Sequence, residues 1–191
     1  KGQVKISGSK NASLPILAAT LLSDKRISLT NIPRVKDVET MIKLLESMGS
    51  KVKVLKNKNS LIIKNDKIIK AEASYDLMST MRAGIIVLGP LLARFGKARA
   101  SIPGGCNLGF RPIDIHLEAL KKMGVKYKLV DGYINAKAKN GLVGAKIKFP
   151  KISVGATENL MIAACLAKGQ TVLSNCAIEP EIKDLSNFLC S

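Results

Sequence analysis

Four short stretches of this chain combine residue types able to handle an anion. Lys10 and Asn11 stand where an alternating, strand-like segment gives way to an apolar helix, so an ammonium, an amide and helix-end N–H groups converge on one spot suited to a phosphate. A plain helix cap by Ser9 or Asn11 would explain the asparagine but leave a lysine beside a buried helix without a use. Arg82 precedes a second apolar helix, where a guanidinium needs a partner, either a substrate phosphate or an internal carboxylate. Cys106 follows Gly104 and Gly105 outside any periodic apolar segment, so it is expected to be exposed. Arg111 or helix N-termini nearby would lower its pKa and make it reactive. Lys151, Ser153, Val154 and Gly155 form a third strand-to-helix corner of the kind that binds anions through backbone N–H groups.

Other chemistries find less support. The single histidine, His116, lies between Ile115 and Leu117 on a helix pattern and reads as a structural hydrogen-bonding residue. No His, Cys, Asp and Glu cluster has metal-ligand spacing and there is no P-loop, so neither a metal nor a cofactor is expected. Cys106, Cys165, Cys176 and Cys190 are too scattered for a disulfide framework, which points to a reducing, cytoplasmic setting. Cys165 and Cys190 fall in apolar helical patterns and are expected in the core.

The formal net charge is +17 over 191 residues. It has three candidate uses: nucleic acid, an anionic membrane or a phosphorylated substrate. Many lysines alternate with apolar residues, as in Lys51-Val52-Lys53-Val54, which is the pattern of a solvated sheet face. Aromatics make up only 4% of the chain and do not interleave with the lysines to stack bases, so no nucleic-acid partner is expected. No apolar run is long enough to span a bilayer, and no membrane partner is expected. With 47% hydrophobic residues the chain can build a core of Ile, Leu, Val, Ala and Met.

The elements that must position these residues repeat. Ser9 to Asn31 aligns without a gap to Ser153 to Asn175, a constant offset of 144 residues. A less regular copy begins near Ser79-Thr80-Met81-Arg82-Ala83. Each copy reads as an apolar helix, a strand, an amphipathic helix closed by Gly49 or Gly124, and a strand pair. The pairs are predicted over 51–55 with 61–64 and over 125–130 with 133–138, the latter turned by Asp131-Gly132. The most apolar segments, 14–22, 85–93 and 160–167, are expected to be buried on all sides. Three such helices with sheets outside them predict an α/β fold: an inside-out barrel of pseudo-threefold units over about 9–72, 73–150 and 151–191. The third is expected to be incomplete, because it breaks off in its second helix.

In this order the motifs Gly8-Ser9-Lys10-Asn11-Ala12, Thr80-Met81-Arg82-Ala83, the loop and helix from Pro103-Gly104-Gly105-Cys106 to Arg111-Pro112-Ile113-Asp114-Ile115-His116, and Ser153-Val154-Gly155-Ala156-Thr157 resemble the UDP-N-acetylglucosamine enolpyruvyl transferases. The resemblance implies transfer of the enolpyruvyl group of phosphoenolpyruvate to the 3-hydroxyl of UDP-N-acetylglucosamine with release of phosphate, the first committed step of peptidoglycan synthesis. It implies Cys106 as proton donor and target of the epoxide fosfomycin, and Lys10, Asn11 and Arg111 as phosphoenolpyruvate ligands. For the sugar nucleotide it implies Arg82, Arg111, Pro112, Ile113, Asp114, Ile115, Lys151, Ser153, Val154 and Gly155. It further implies that residues 1–8 form a strand of a second lobe, that 9–191 form the UDP-sugar lobe, and that the partner is that second lobe, carrying an aspartate base and a further arginine. The fragment alone is then expected to be inactive. The alternatives are a shikimate-phosphate-type transferase, which begins its phosphate site differently and lacks the cysteine loop, and a non-catalytic basic binding module.

Overall fold

Ser9, with extended backbone angles, accepts a hydrogen bond from the Ala12 backbone N–H at 3.3 Å, and helix α1 (Lys10–Ala19) begins there. The computed structural model describes residues 1–4, 6–55, 59–102 and 113–191. Cys106, Arg111 and Pro112 lie outside the described residues. A 3₁₀ turn, Thr20–Leu22, extends α1 and leads to β1 (Arg26–Leu29), α2 (Lys36–Met48), β2 (Lys51–Leu55) and β3 (Ser60–Lys64). The second unit runs β4 (Glu72–Ala73), α3 (Tyr75–Met78), a 3₁₀ segment Arg82–Val87 continued by α4 (Leu88–Phe95), β5 (Lys97–Ser101), α5 (Asp114–Lys122), β6 (Lys126–Val130) and β7 (Tyr133–Lys137). The third has β8 (Lys146–Lys148), α6 (Val154–Ala164), β9 (Val172–Ser174) and α7 (Pro180–Cys190).

The repeat seen in the sequence recurs in backbone detail. Ser153 caps α6 by accepting from Ala156 N–H at 3.3 Å, as Ser9 caps α1. One helical turn on, the Ser13 hydroxyl donates to the Ser9 carbonyl and the Thr157 hydroxyl to the Ser153 carbonyl. After the following strand, Asn31 and Asn175 both take left-handed backbone angles, with φ of 56° and 54°. The middle unit departs from this pattern. Its helix starts after Met81, which has extended angles like Ser153 but no side chain able to cap, and its first turns are 3₁₀.

Sheets form the outer layer. The first has order β1-β3-β2 and the second β4-β5-β7-β6, and in both the predicted strand pair is an antiparallel hairpin, with Lys51 opposite Lys64 and Val130 opposite Tyr133. Asp131 and Gly132 both have positive φ between Val130 and Tyr133, the conformation of a tight hairpin turn that glycine and aspartate tolerate. The third sheet contains β8 and β9, paired in parallel. β4 and β8 each run parallel to the strand that follows their unit's central helix, an arrangement the alternation pattern did not predict because the strands are two and three residues long. β8 thus begins the third unit a little before the expected boundary at 151.

Inside the sheets lie α1, the 3₁₀-to-α4 helix and α6, packed on one another through Leu14, Leu17, Ile85, Leu88, Leu92, Leu160 and Ala163. Gly89 marks the closest approach: a Cβ there would overlap the side-chain and backbone oxygens of Asn159 on α6. Among the described residues no helix is long and apolar enough to cross a membrane.

The expectations for two cysteines change. α6 ends at Ala164, so Cys165 is its C-cap and is exposed, and Cys190, the last residue of α7, is exposed too; neither is a core residue. Residues 1–4 and 6–8 pair with no strand of this lobe, and Val4 and Ile6 are 84% and 81% exposed; the strand expected there was one of a second lobe, so this lobe does not test it. α5 starts at Asp114 with Ile113 as its N-cap. Arg94 is structural: its guanidinium donates to the carbonyls of Leu21, Ser23 and Asn65, closing the end of the first helix.

Candidate anion-binding site

The N-termini of the three central helices open on one side of the molecule. Between them lies a cleft of about 540 Å³. Asn11, Leu14 and Pro15 of α1 form one wall; Arg82, Ala83, Ile85 and Ile86 form the second; Lys151, Ile152, Ser153, Val154, Gly155 and Glu158 form the third. Ile113, Ile115 and His116 close the floor from α5, and Glu181 reaches in from α7. A volume of this size suits a ligand larger than a single phosphate.

Most sequence-predicted residues within the described parts meet here. Asn11, Arg82, Ile113, Ile115, Lys151, Ser153, Val154 and Gly155 share the one cleft. Asp114 does not line it. With Ile115, Lys122, Ile147, Phe149 and Pro150 it borders a smaller hollow of about 90 Å³ on the other side of Ile115. Lys10 is also absent from the cleft wall. Its side chain is about half exposed and its ammonium lies 3.0 Å from an Asp37 carboxylate oxygen. The premise of a lysine buried beside α1 is therefore corrected: as the first residue of the helix, Lys10 points to a different face from Asn11, and Asp37 at the start of α2 is its partner. Cys106, Arg111 and Pro112 are not placed, since they fall outside the described residues.

A further acid and an amide escaped the sequence reading. Glu158 and Asn159 are buried in α6, just before the segment 160–167 that was expected to be buried; a polar stretch from Thr157 to Asn159 running into it was the available signal. Burial, reinforced by Glu181 and then Glu179, pushes the Glu158 carboxyl up to about 8. At neutral pH it is mostly uncharged, so it does not cancel the cations Arg82 and Lys151 that line the same cleft. Asn159 makes hydrogen bonds to three groups, among them Nδ1 of His116 at 3.0 Å. Burial, with the Arg82 charge adding to it and Asp114 opposing, lowers His116 to about 4, so its ring is neutral at physiological pH.

The chemical capacity of the site follows. It offers two cations, the serine-capped N-terminus of α6, an amide, a neutral imidazole and apolar walls, the combination that holds an anionic ligand with an apolar or sugar-like body. Among the described residues no group of three or more His, Cys, Asp and Glu is placed to hold a metal ion.

A family profile described as EPSP synthase (3-phosphoshikimate 1-carboxyvinyltransferase) matches residues 1–191. The UDP-N-acetylglucosamine 1-carboxyvinyltransferase of Pelagibacter ubique is 71% identical over 189 residues, covering 99% of this chain and 45% of that protein. The enzymes of the same name from Trichlorobacter lovleyi and Coxiella burnetii are 52% and 50% identical, the chain covering 45% and 43% of their lengths. The chain therefore spans about half the length of the curated relatives it matches. Among solved structures, the enolpyruvyl transferase NikO from Streptomyces tendae superposes with a TM-score of 0.86 at 19% identity, over all of this chain and 44% of that one. EPSP synthase from Acinetobacter baumannii gives 0.74 at 15% identity, over 95% of this chain and 42% of that one. At these identities the structures establish the enolpyruvyl transferase fold.

Proposed function

Because the chain belongs to the EPSP synthase family of enolpyruvyl transferases, we propose that it is the sugar-nucleotide-binding lobe of a UDP-N-acetylglucosamine 1-carboxyvinyltransferase acting in bacterial peptidoglycan synthesis. The observation that carries this reading is the convergence of Arg82, Asn11 and the Lys151-to-Gly155 corner at the α6 N-terminus on one cleft. Three separate sequence stretches meet there, and all are of the kind a diphosphate requires. The identity of 71% to a relative of that name, against 15% to an EPSP synthase structure, supports UDP-N-acetylglucosamine over shikimate phosphate as the acceptor.

In this reading Arg82 and Lys151 neutralise the diphosphate and the backbone N–H groups after Ser153 receive one of its oxygens. Asn11 contacts the sugar or the phosphoenolpyruvate beside it. Arg111 adds a second guanidinium, and the segment Pro112 to Ile115 holds the uracil, with Asp114 and the small hollow next to Ile115 at its disposal. Cys106 protonates the methylene carbon of phosphoenolpyruvate. Lys10, through its place beside Asn11, takes the phosphoenolpyruvate charge after exchanging Asp37 for it. The partner is a second lobe, and the setting is the reducing cytoplasm.

Calorimetric titration of the 191-residue chain with UDP-N-acetylglucosamine tests the reading. Binding is expected, and Arg82→Ala and Lys151→Ala should each weaken it by about tenfold, the worth of one charged hydrogen bond. No heat from the sugar nucleotide, with shikimate 3-phosphate binding instead, would sink it. A second check is covalent: fosfomycin should add to Cys106 selectively over Cys165, Cys176 and Cys190, and mass spectrometry after digestion reads the site.

A further inference from the structure

Where the 3₁₀ segment passes into α4, a side chain from another helix joins the backbone hydrogen bonding. The Ile85 carbonyl accepts from the Leu88 N–H, and the Asn159 side chain of α6 adds two bonds there: its Oδ1 accepts from Gly89 N–H at 2.7 Å and its Nδ2 donates to the Ile85 carbonyl at 3.5 Å. The lack of a Cβ on Gly89 leaves the room. These bonds fix which end of the amide is oxygen, since a backbone N–H can only donate and a carbonyl can only accept. The NH₂ group must then also be what faces His116 Nδ1 at 3.0 Å. An amide N–H aimed at a ring nitrogen requires a lone pair there, so Nδ1 is the unprotonated nitrogen and the proton of the neutral ring sits on Nε2. The Nε2 and Cε1 edge lies against Gly155, in the first turn of α6, and His116 lines the cleft.

We infer that His116 is a ligand-binding residue, a fixed Nε2–H donor to an anionic oxygen of the sugar nucleotide seated at the α6 N-terminus, and that Asn159 is the positioning residue that sets its tautomer. This rests on the sugar-nucleotide reading of the cleft given above. The arrangement differs from a cationic anion clamp. A neutral donor adds direction without charge, beside Arg82 and Lys151, which supply charge. The inserted amide also ties the donor to the packing of α4 against α6, so the His116 tautomer is held by two of the three central helices.

The chain has one histidine, so its ring nitrogens can be assigned without ambiguity by long-range ¹H–¹⁵N NMR. In the ligand-free protein, Nδ1 is expected to resonate as an unprotonated and Nε2 as a protonated nitrogen. Saturation with UDP-N-acetylglucosamine should shift the Nε2–H signals while leaving Nδ1 unprotonated. His116→Phe should lower affinity about tenfold, whereas His116→Gln, which keeps an amide donor, should lose about threefold or less. A proton on Nδ1, an Nε2–H signal unmoved at saturation, or a His116→Phe protein that melts like the wild type and binds equally well would each overturn the inference while leaving the function intact. Failure of the wild type to bind the sugar nucleotide would overturn both. If the phenylalanine variant melts early, the glutamine variant and the ligand-induced shift decide.

Discussion

With Glu181 and Glu179 near it at the start of α7 and its own side chain shut away from water, Glu158 keeps its proton to about pH 8. An unfolded chain gives that proton up near the ordinary value of 4.5. Between these values the unfolded state binds fewer protons than the native one, so stability falls as pH rises. His116 works the other way: native near 4 and unfolded near 6.5, it favours the folded state as pH rises through that window. The two effects oppose one another up to about pH 6.5, and above it Glu158 acts alone. We expect the melting temperature to decline from pH 6.5 to 8, with Glu158→Gln abolishing the decline. A variant whose melting still falls as steeply would show that another group is responsible. Both residues illustrate what the sequence conceals. Lys151, Arg82 and Asn11 stood out because cations and an amide at the starts of apolar helices suit an anion. Glu158, Asn159 and His116 lie on helix segments of mixed polarity, where nothing marks one polar residue as buried until its neighbours from other helices are known.

At the scale of elements, the legible signals were those written locally. Gly49 and Gly124 end helices with φ of 109° and 90°, and both hairpins sit where alternation placed them. β4 and β8 were not legible, since a pairing of two or three residues leaves no period to detect. Nor was the junction of 3₁₀ and α-helix at Leu88, which depends on an amide 70 residues further along the chain. That junction makes Gly89→Ala a sensitive test of helix packing. The added methyl overlaps Asn159 and approaches Ala163 at 3.3 Å, so α4 and α6 must separate. A loss of about 2 to 3 kcal/mol is expected by chemical denaturation, although alanine is the better helix former. By contrast Ser153→Ala removes one cap and should lose only about 1 kcal/mol. Equal effects of the two would contradict the close approach at Gly89.

The whole molecule carries a formal charge of +17, and its arginines show how differently like charges are used. Arg94 closes a helix end, Arg99 lies 2.8 Å from Glu72 and stacks over the Tyr133 ring, and Arg82 lines the cleft. The lysines are spread over strand surfaces: Lys51, Lys53, Lys126, Lys128 and Lys137 are exposed on three strands of two different sheets. A spread of this kind repels itself, whereas a nucleic-acid site concentrates charge along a track with aromatic faces. The two uses of charge can be told apart by salt. Each phosphate contact on DNA contributes a slope of about −0.9 in the logarithm of affinity against the logarithm of salt, so a binding module using many surface lysines would lose duplex DNA steeply between 50 and 200 mM. A cleft of Arg82, Lys151 and neutral donors should depend on salt with a slope near −2 or shallower for UDP-N-acetylglucosamine. Duplex DNA should compete for the sugar nucleotide only through weak, salt-erased association. Sugar-nucleotide binding that DNA displaces stoichiometrically at 150 mM salt would place the ligand on the lysine-bearing surface instead of in the cleft, and would favour a basic binding module over the transferase lobe.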